Sequence, residues 1–258
     1  MQIVVRDLLK GLTALMALLM TGASVAQVIV VAHGVGQFYP REYMVNGKLE
    51  GLHEKIVSNT AKKMGLTINY RALPWKRAIK ALELGEIDAL MYLGKTPQRQ
   101  QFAYFHQGNM LSSANFRPMI LLKNRSKIRF DGSLESLRNS RVAVGVDYYY
   151  GEPFDSAAFI NKVPIESPSS ALLANLLLLE RIDVIIYDIN SLKADLSADY
   201  VNKYFHAYQQ IISSNHYYIA FSKRKRNAKF VKKFAQTALE YKSTEQYQQQ
   251  LKYYKVLH

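Results

Sequence analysis

The sequence contains no cysteine. That excludes a disulfide framework, a thiolate metal site and a thiol nucleophile alike. Acidic residues are also scarce: 20 Asp and Glu face 34 Lys and Arg, for a formal charge of +14. Such a balance attracts anionic solutes, anionic headgroups or acidic protein faces. Low-complexity tracts, heptad runs and internal repeats are missing. At 49% hydrophobic and 21% charged, the composition is that of a globular chain.

Several chemical signatures are missing as well. His33, His53, His106, His206 and His216 show no H-x-x-x-H or related spacing, so no metal site is expected. There is no G-x-S-x-G, no Walker loop and no G-x-G-x-x-G, since Gly34-Val35-Gly36 lacks the third glycine. No cofactor is therefore expected. The basic run Lys223-Arg224-Lys225-Arg226 follows the apolar Tyr218-Ile219-Ala220-Phe221 and precedes a helical stretch. It reads as a solvated turn, and nucleic-acid binding is not expected.

What is present begins with an export signal. Arg6 and Lys10 precede the apolar stretch from Gly11 to Met20, and Ser24-Val25-Ala26 supplies small residues before a cut at Gln27. The pattern predicts a signal peptide over residues 1–26. Its apolar run is shorter than the roughly 20 residues a bilayer span needs. Cleavage without a lipid-bearing cysteine implies the periplasm, and the remaining chain keeps a formal +13 once two basic residues and one acidic are removed.

The rest of the 258 residues suffices for two lobes of about 100 residues each. Organisation centres on residues 51–105. Leu52, Ile56, Ala61 and Met64 recur at helical period, and Gly65 sits where a helix stops. Leu66, Ile68, Tyr70 and Ala72 alternate with polar residues as in a half-buried strand. After Pro74-Trp75 comes a short helix with Ala78, Ile79 and Leu82 inward, closed by Gly85, and then an almost wholly apolar strand from Ile87 to Leu93. A βαβ unit of this kind sends the loop Gly94-Lys95-Thr96-Pro97-Gln98-Arg99 to the carboxyl edge of the sheet, where open α/β sheets bind ligands.

These residues carry a resemblance. Gly51-Leu52, Pro74-Trp75, the run Leu82 to Ala89, and Thr96-Pro97-Gln98-Arg99 followed by Phe102 and Phe105 resemble the first lobe of family 3 extracellular solute-binding proteins. These are bilobed periplasmic receptors that deliver polar amino acids to ABC transporters. In the second half, a leucine-rich helix over residues 169–180 and the buried strand Ile182 to Tyr187 ending at Asp188 resemble the second lobe. The implied fold is α/β and two-lobed, of the type II periplasmic-binding-protein class, with mostly parallel sheets flanked by helices. Small polar stretches at Leu111 to Asn115 and Ile212 to Asn215 read as two hinge crossings. They divide the chain into lobe 1 (residues 27–112 and 216–258) and lobe 2 (residues 113–215).

The resemblance also implies a site. Arg99 offers a fixed fork of donors that matches a carboxylate bidentately. Thr96 and Gly94 flank it, and Thr96 is equally an N-cap for the helix that bears Arg99. Asp188 takes the family's place for binding an α-ammonium, or else caps the next helix. Phe38 or Tyr39, in the first loop, supplies a stacking ring. Tyr148-Tyr149-Tyr150 replace the glycine and small hydroxyl residue usual in the family, His53 stands for its usual aspartate, and Tyr92 and Trp75 flank the loop. These departures describe a site walled by aromatic rings and suited to a bulky or flat ligand; the alternative is that several of the rings fill core. Asp88 and Asp183 read as structural.

The expected function is capture of a small carboxylate-bearing ligand, an amino acid or a related and bulkier acid, by a monomer serving an ABC permease. Two rivals share the fold. One is a periplasmic dehydratase of the cyclohexadienyl type using Glu152 or Asp147 as general acid, and the other is a ligand-sensing subunit for a membrane receptor.

Overall fold

The computed structural model is described for residues 27–36 and 38–254; the expected signal peptide lies outside the described residues. The chain opens with β1 (Gln27–Gly34) and a hairpin of β2 (Tyr43–Val45) and β3 (Lys48–Glu50). Helix α1 (Leu52–Lys63), β4 (Leu66–Leu73), α2 (Trp75–Leu84), β5 (Ala89–Gly94), α3 (Pro97–Phe102) and β6 (Ala103–Tyr104) follow. The long strand β7 (Met110–Leu121) leads into β8 (Arg141–Gly145), the one-turn helix α4 (Glu152–Asp155) and β9 (Asn161–Ile165). Next come α5 (Ser170–Leu178), β10 (Val184–Asp188), α6 (Ile189–Leu196), α7 (Ala198–Tyr204) and β11 (Phe205–Ala207). A second long strand, β12 (Ser213–Ser222), precedes α8 (Ala228–Lys242) and α9 (Glu245–Tyr253).

Local signals set the ends of these elements. Gly85 adopts a left-handed φ of 75° and stops α2. Thr96 caps α3 with Pro97 in its first turn, while Ser169 and Asn227 cap α5 and α8 through their side chains.

Ten strands form one mixed sheet in the order β4-β1-β5-β12-β7-β10-β8-β9, with β6 and β11 pairing β12 and β7 from the side. On one side β4, β1 and β5 run parallel, and on the other β10, β8 and β9 do the same. The junction is the antiparallel pair β7–β12, in register from Ser213 opposite Phe116 to Tyr217 opposite Ser112. The small polar stretches of the sequence fall within this pair. They cross as two hydrogen-bonded strands, so the two parallel units share a continuous ladder.

Each unit buries apolar side chains on both faces of its strands. On the first, Ile29, Val31, Ile56, Met91, Phe234 and Tyr241 pack between the sheet and α1, α8 and α9. Ala32, Leu82, Leu90 and Leu93 pack beneath α2 on the opposite face. On the second, Leu173, Leu177, Ile185 and Leu192 lie against α5 and α6, while Val142, Phe154, Val184 and Ile186 fill the other side.

The apolar run of β5 is not a plain strand. Between the paired residues, one residue of β12, Ile219 between Tyr218 and Ala220, opposes two of β5, Met91 and Tyr92 between Leu90 and Leu93. The extra residue makes a bulge, and Tyr92 carries it with φ at 57°. A bulky residue in the left-handed region costs about 1–3 kcal/mol, held in place only by its surroundings. The result is that Leu93 rather than Tyr92 packs beneath α2, and the Tyr92 ring swings to the junction of the two units.

Both units repeat one device. The Asp88 amide donates to the Val30 carbonyl, and its carboxylate accepts from the Val30 amide (2.8 Å) and the Arg226 guanidinium (2.7 Å). Likewise the Asp183 amide donates to the Arg141 carbonyl, and its carboxylate accepts from the Arg141 amide (2.8 Å) and guanidinium (2.7 Å). The arginine contact holds the Asp183 carboxyl below its ordinary range, despite partial burial. The side chains of Arg226 and Asp88 are 11% and 9% exposed, against 43% and 24% for Arg141 and Asp183. Removing one member of a buried pair strands the other charge, at about 3–5 kcal/mol, whereas exposed pairs contribute about 0–1 kcal/mol. Asp88→Ala should therefore lower the unfolding free energy by about 3 kcal/mol or more in urea titration. Asp183→Ala should cost clearly less, and equal losses would contradict this ranking.

Candidate functional site

The carboxyl ends of β1, β5, β8 and β10 converge on one interior cavity of about 60 Å³. Phe38 and Arg41 come from the loop after β1, Trp75 from the start of α2, Tyr92 and Gly94 from β5, and Arg99 from α3. The opposite wall is Tyr148, Tyr149 and Tyr150 after β8, Tyr187 and Asp188 at the end of β10, and Ser191 of α6; Phe116 and Tyr217 come from the crossing strands. Water alone needs about 10–15 Å³ per molecule by this measure. A solute of amino-acid size is thus admitted only as the two walls part.

The walls are held together by three side chains of the first unit. Arg99 Nη1 donates to the Gly94 carbonyl (2.9 Å), and its Nη2 reaches across to the Asp147 carbonyl (2.7 Å). Trp75 Nε1 donates to the same oxygen (3.2 Å), while its ring meets Tyr148 edge-on at 5.7 Å. Asp147 presents that carbonyl from a left-handed φ of 60°. Deeper in, Arg41 Nη1 donates to Ser191 Oγ, and Nη2 donates to the Ser113 carbonyl (3.3 Å) and lies 3.8 Å from Asp188 Oδ1. The Arg41 Nε is buried without a hydrogen-bond partner.

Asp188 is heavily engaged. Its Oδ1 accepts from the Ser191 amide (2.8 Å) and Ser191 Oγ (2.9 Å), which makes it the N-cap of α6, and its Oδ2 accepts from the Asn115 amide (3.2 Å). Burial weakens the Arg41 guanidinium, but the Tyr92 oxygen and the Asp188 carboxylate more than offset it, so Arg41 sits above its ordinary value. Burial pulls Arg99 down, opposed by Tyr217 and Asp147, and a guanidinium remains charged throughout. Burial pushes the Tyr92, Tyr148, Tyr150 and Tyr217 hydroxyls up, and Tyr187 up to about 12, so all five are neutral at physiological pH. Tyr92 stacks on Tyr217 with centroids 4.3 Å apart and meets Phe38 at 5.4 Å.

Of the residues singled out in the sequence, Phe38, Trp75, Tyr92, Gly94, Arg99, Tyr148 and Asp188 meet in this cavity. Two do not. Tyr39 is 37% exposed and packs on Tyr43 at 5.0 Å. The turn closed by Phe38 and Glu42, whose amides and carbonyls bond reciprocally (2.7 and 3.0 Å), directs Phe38 inward and its neighbour out. Thr96 lines an outer groove, and its Oγ1 accepts from the Arg99 amide (3.2 Å) as the cap of α3. Asp147 and Glu152 also border that outer groove and not the inner cavity. Arg41, Tyr187, Ser191 and Tyr217 were not legible as site residues. The one available signal for Arg41 was a basic residue in the loop after β1, at the same sheet edge as Arg99.

Behind the Tyr92 ring, 5.2 Å from its centroid, His53 is fully buried. Its Nδ1 pairs with Glu42 Oε1 (2.7 Å) and its Nε2 with Ser112 Oγ (2.9 Å). A neutral ring donating from Nδ1 and accepting at Nε2 satisfies both contacts. The serine–histidine–acid order resembles a charge relay, but none of the three lines the cavity. They tie the β1 loop and α1 to the crossing strand β7.

The family model for bacterial extracellular solute-binding proteins, family 3, matches residues 30–256. A search of curated proteins finds no match. Among solved structures, a histidine kinase sensor domain with similarity to periplasmic binding proteins superposes with a TM-score of 0.74 at 20% identity, covering 89% of this chain and 96% of that one. The substrate binding protein of an amino acid ABC transporter gives 0.71 at 19% identity, over 88% and 98%. An ancestral amino acid-binding protein, a precursor of cyclohexadienyl dehydratase, gives 0.67 at 17%, over 88% and 94%. At these identities the likeness establishes the two-lobed fold.

Two expectations follow from the geometry. Burial holds the His53 pKa below its ordinary value, opposed by Glu42. As pH falls through about 6.5, the unfolded chain takes up a proton that the folded one refuses. The stabilisation is therefore complete above about 6.5 and drains away below it. Between pH 7.5 and 5.5 the wild-type urea midpoint should fall more than that of His53→Asn; parallel falls would show that His53 does not titrate this way. At Gly94, a Cβ would lie 3.2 Å from the Tyr149 ring and 3.5 Å from Arg99 Nη1. Gly94→Val should hold the walls apart, giving a larger radius of gyration in small-angle scattering, and an unchanged radius would count against that close approach.

Proposed function

The chain belongs to the bacterial extracellular solute-binding proteins, family 3, and on that premise we propose that it captures a small carboxylate-bearing solute between its two lobes for an ABC permease. In this reading it works as a monomer in the periplasm, exported by the signal peptide at residues 1–26. The hinge lies in the β7–β12 pair, with lobe 1 formed by residues 27–112 and 216–258 and lobe 2 by residues 113–215.

The observation that supports this most is the position of Arg99. It stands at the cleft on a capped helix turn, with part of its fork already bonded across the gap to Asp147. As the lobes part, that bond breaks and the guanidinium faces the incoming anion; on closure the fork holds a carboxylate and the far wall together. Thr96 fixes the turn that aims Arg99, and Gly94 leaves room for Tyr149. Phe38, Trp75, Tyr92 and Tyr148 enclose the apolar part of the solute. Binding shifts the open–closed population toward the closed form, which is the form a permease would recognise. Binding rather than turnover is also favoured by Asp147 and Glu152, whose placement on the outer groove removes them from the cavity where a general acid would be needed.

Across a panel of small carboxylates, at least one should raise the melting temperature of the wild-type protein. Arg99→Ala should abolish that shift, weakening binding by about 100-fold, as loss of a charge-assisted bidentate contact implies. Arg99→Lys should retain a fraction of it. A shift that survives Arg99→Ala rejects the role given to this residue.

A further inference from the structure

We infer that the solute carries no α-ammonium group: the site takes a ring-bearing monocarboxylate whose α-carbon bears an acceptor, as in a 2-oxo acid. This rests on the reading of the cleft as a carboxylate trap and adds the class of carboxylate.

The inference starts from Asp188, the acidic residue that lines the cavity. An ammonium group needs such a carboxylate with lone pairs to spare. A carboxylate offers about four acceptor sites, and here three are filled by Ser191 N, Ser191 Oγ and Asn115 N. Both sites of Oδ1 are taken by Ser191, and the Arg41 guanidinium, which also donates to Ser191 Oγ and the Ser113 carbonyl, stands 3.8 Å from that same oxygen; one acceptor site remains, on Oδ2. An ammonium would find that one site on a carboxylate whose charge the Arg41 guanidinium already balances. A second cation would leave one buried positive charge uncompensated, and that costs more than one new ion pair returns.

Arg41 also inverts the polarity of the position. Where an amino-acid site offers an acceptor, this one offers a donor, and the Arg41 Nε is buried with no partner. A carbonyl or hydroxyl oxygen satisfies such a donor and an ammonium does not. Charge leads to the same class. With Arg41 and Asp188 paired, Arg99 is left bonded to two neutral backbone carbonyls and, among the described residues, has no carboxylate within ion-pair distance. One positive charge awaits one anion. The rings of Phe38, Trp75, Tyr92 and Tyr148 suit a flat apolar substituent.

The test is calorimetry on the full mature chain with matched pairs that differ at the α-carbon: phenylpyruvate against L-phenylalanine, 4-hydroxyphenylpyruvate against L-tyrosine, and 4-methyl-2-oxopentanoate against L-leucine. The 2-oxo acid should bind at least tenfold tighter in the aromatic pairs. Arg41→Met, which frees Asp188, should shrink or reverse that preference by at least tenfold. An amino acid that binds the wild-type protein as tightly as its 2-oxo partner overturns this inference while leaving carboxylate capture standing. Binding of neither member of any pair overturns both. The wild-type comparison decides the matter even if Arg41→Met fails to fold.

Discussion

The architecture depends on the antiparallel pairing of β7 with β12. Each strand runs from one parallel unit into the other, and their ladder joins two three-stranded parallel sheets into one. Because the ladder is continuous, the carboxyl ends of both parallel units face each other across a shared junction. Bulges interrupt the pairing there, in β5 opposite the step from Tyr218 to Ala220 and in β7 opposite the step from Tyr217 to Tyr218. One of them throws Tyr92 out of its strand and into the shared cavity. The aromatic lining is thus a consequence of how two sheets are spliced as well as of which residues were supplied.

Acidic side chains are few, and those around the cleft and the central strands are already engaged. Asp88 and Asp183 each clamp the start of a central strand to its neighbour and to an arginine. Glu42 holds His53, and Asp188 caps α6 while facing Arg41. The basic surplus of the composition therefore reaches into the cleft, where two guanidiniums meet one committed carboxylate. Excess positive charge on a surface is ordinary. Excess positive charge in a cavity walled by neutral tyrosines selects what can enter, because low-polarity walls amplify an unpaired charge.

Much of the fold was legible because its signals are local. Gly85, Thr96, Ser169 and Asn227 act within a turn of their own position, and the helix and strand periods of residues 51–93 need no distant partner. Arg99 was legible for the same reason, since a capped turn at the end of a buried strand aims whatever follows it. Between Phe38 and Tyr39 the sequence left the choice open: the reciprocal bonds of Phe38 and Glu42 decide which ring faces inward, and composition cannot. The bulge at Tyr92 depends on β12, far along the chain, so the run from Ile87 to Leu93 looked uniform. Arg41 was hidden in plain view, one arginine among 34 basic residues, and only its approach to Asp188 from the opposite unit distinguishes it. Asp88 and Asp183 read as structural from their place before an apolar run, Ile87-Asp88 to Tyr92 and Ile182-Asp183 to Tyr187, but the arginines that close the two clamps, Arg226 and Arg141, lie far along the chain and left no local signal.

The ribbon at the centre also orders how the molecule comes apart. A pair of hydrogen-bonded strands yields to torsion more readily than to shear, and displacement during torsion grows with distance from the axis. Arg41 and Asp188 are both bonded to that ribbon, at the Ser113 carbonyl and the Asn115 amide, so under the proposed hinge they would move least. The Arg99–Asp147 contact borders the outer groove, and under the same hinge it would separate first. In that order of opening the inner ion pair would stay intact, and an arriving molecule would meet the floor of the cleft already neutralised.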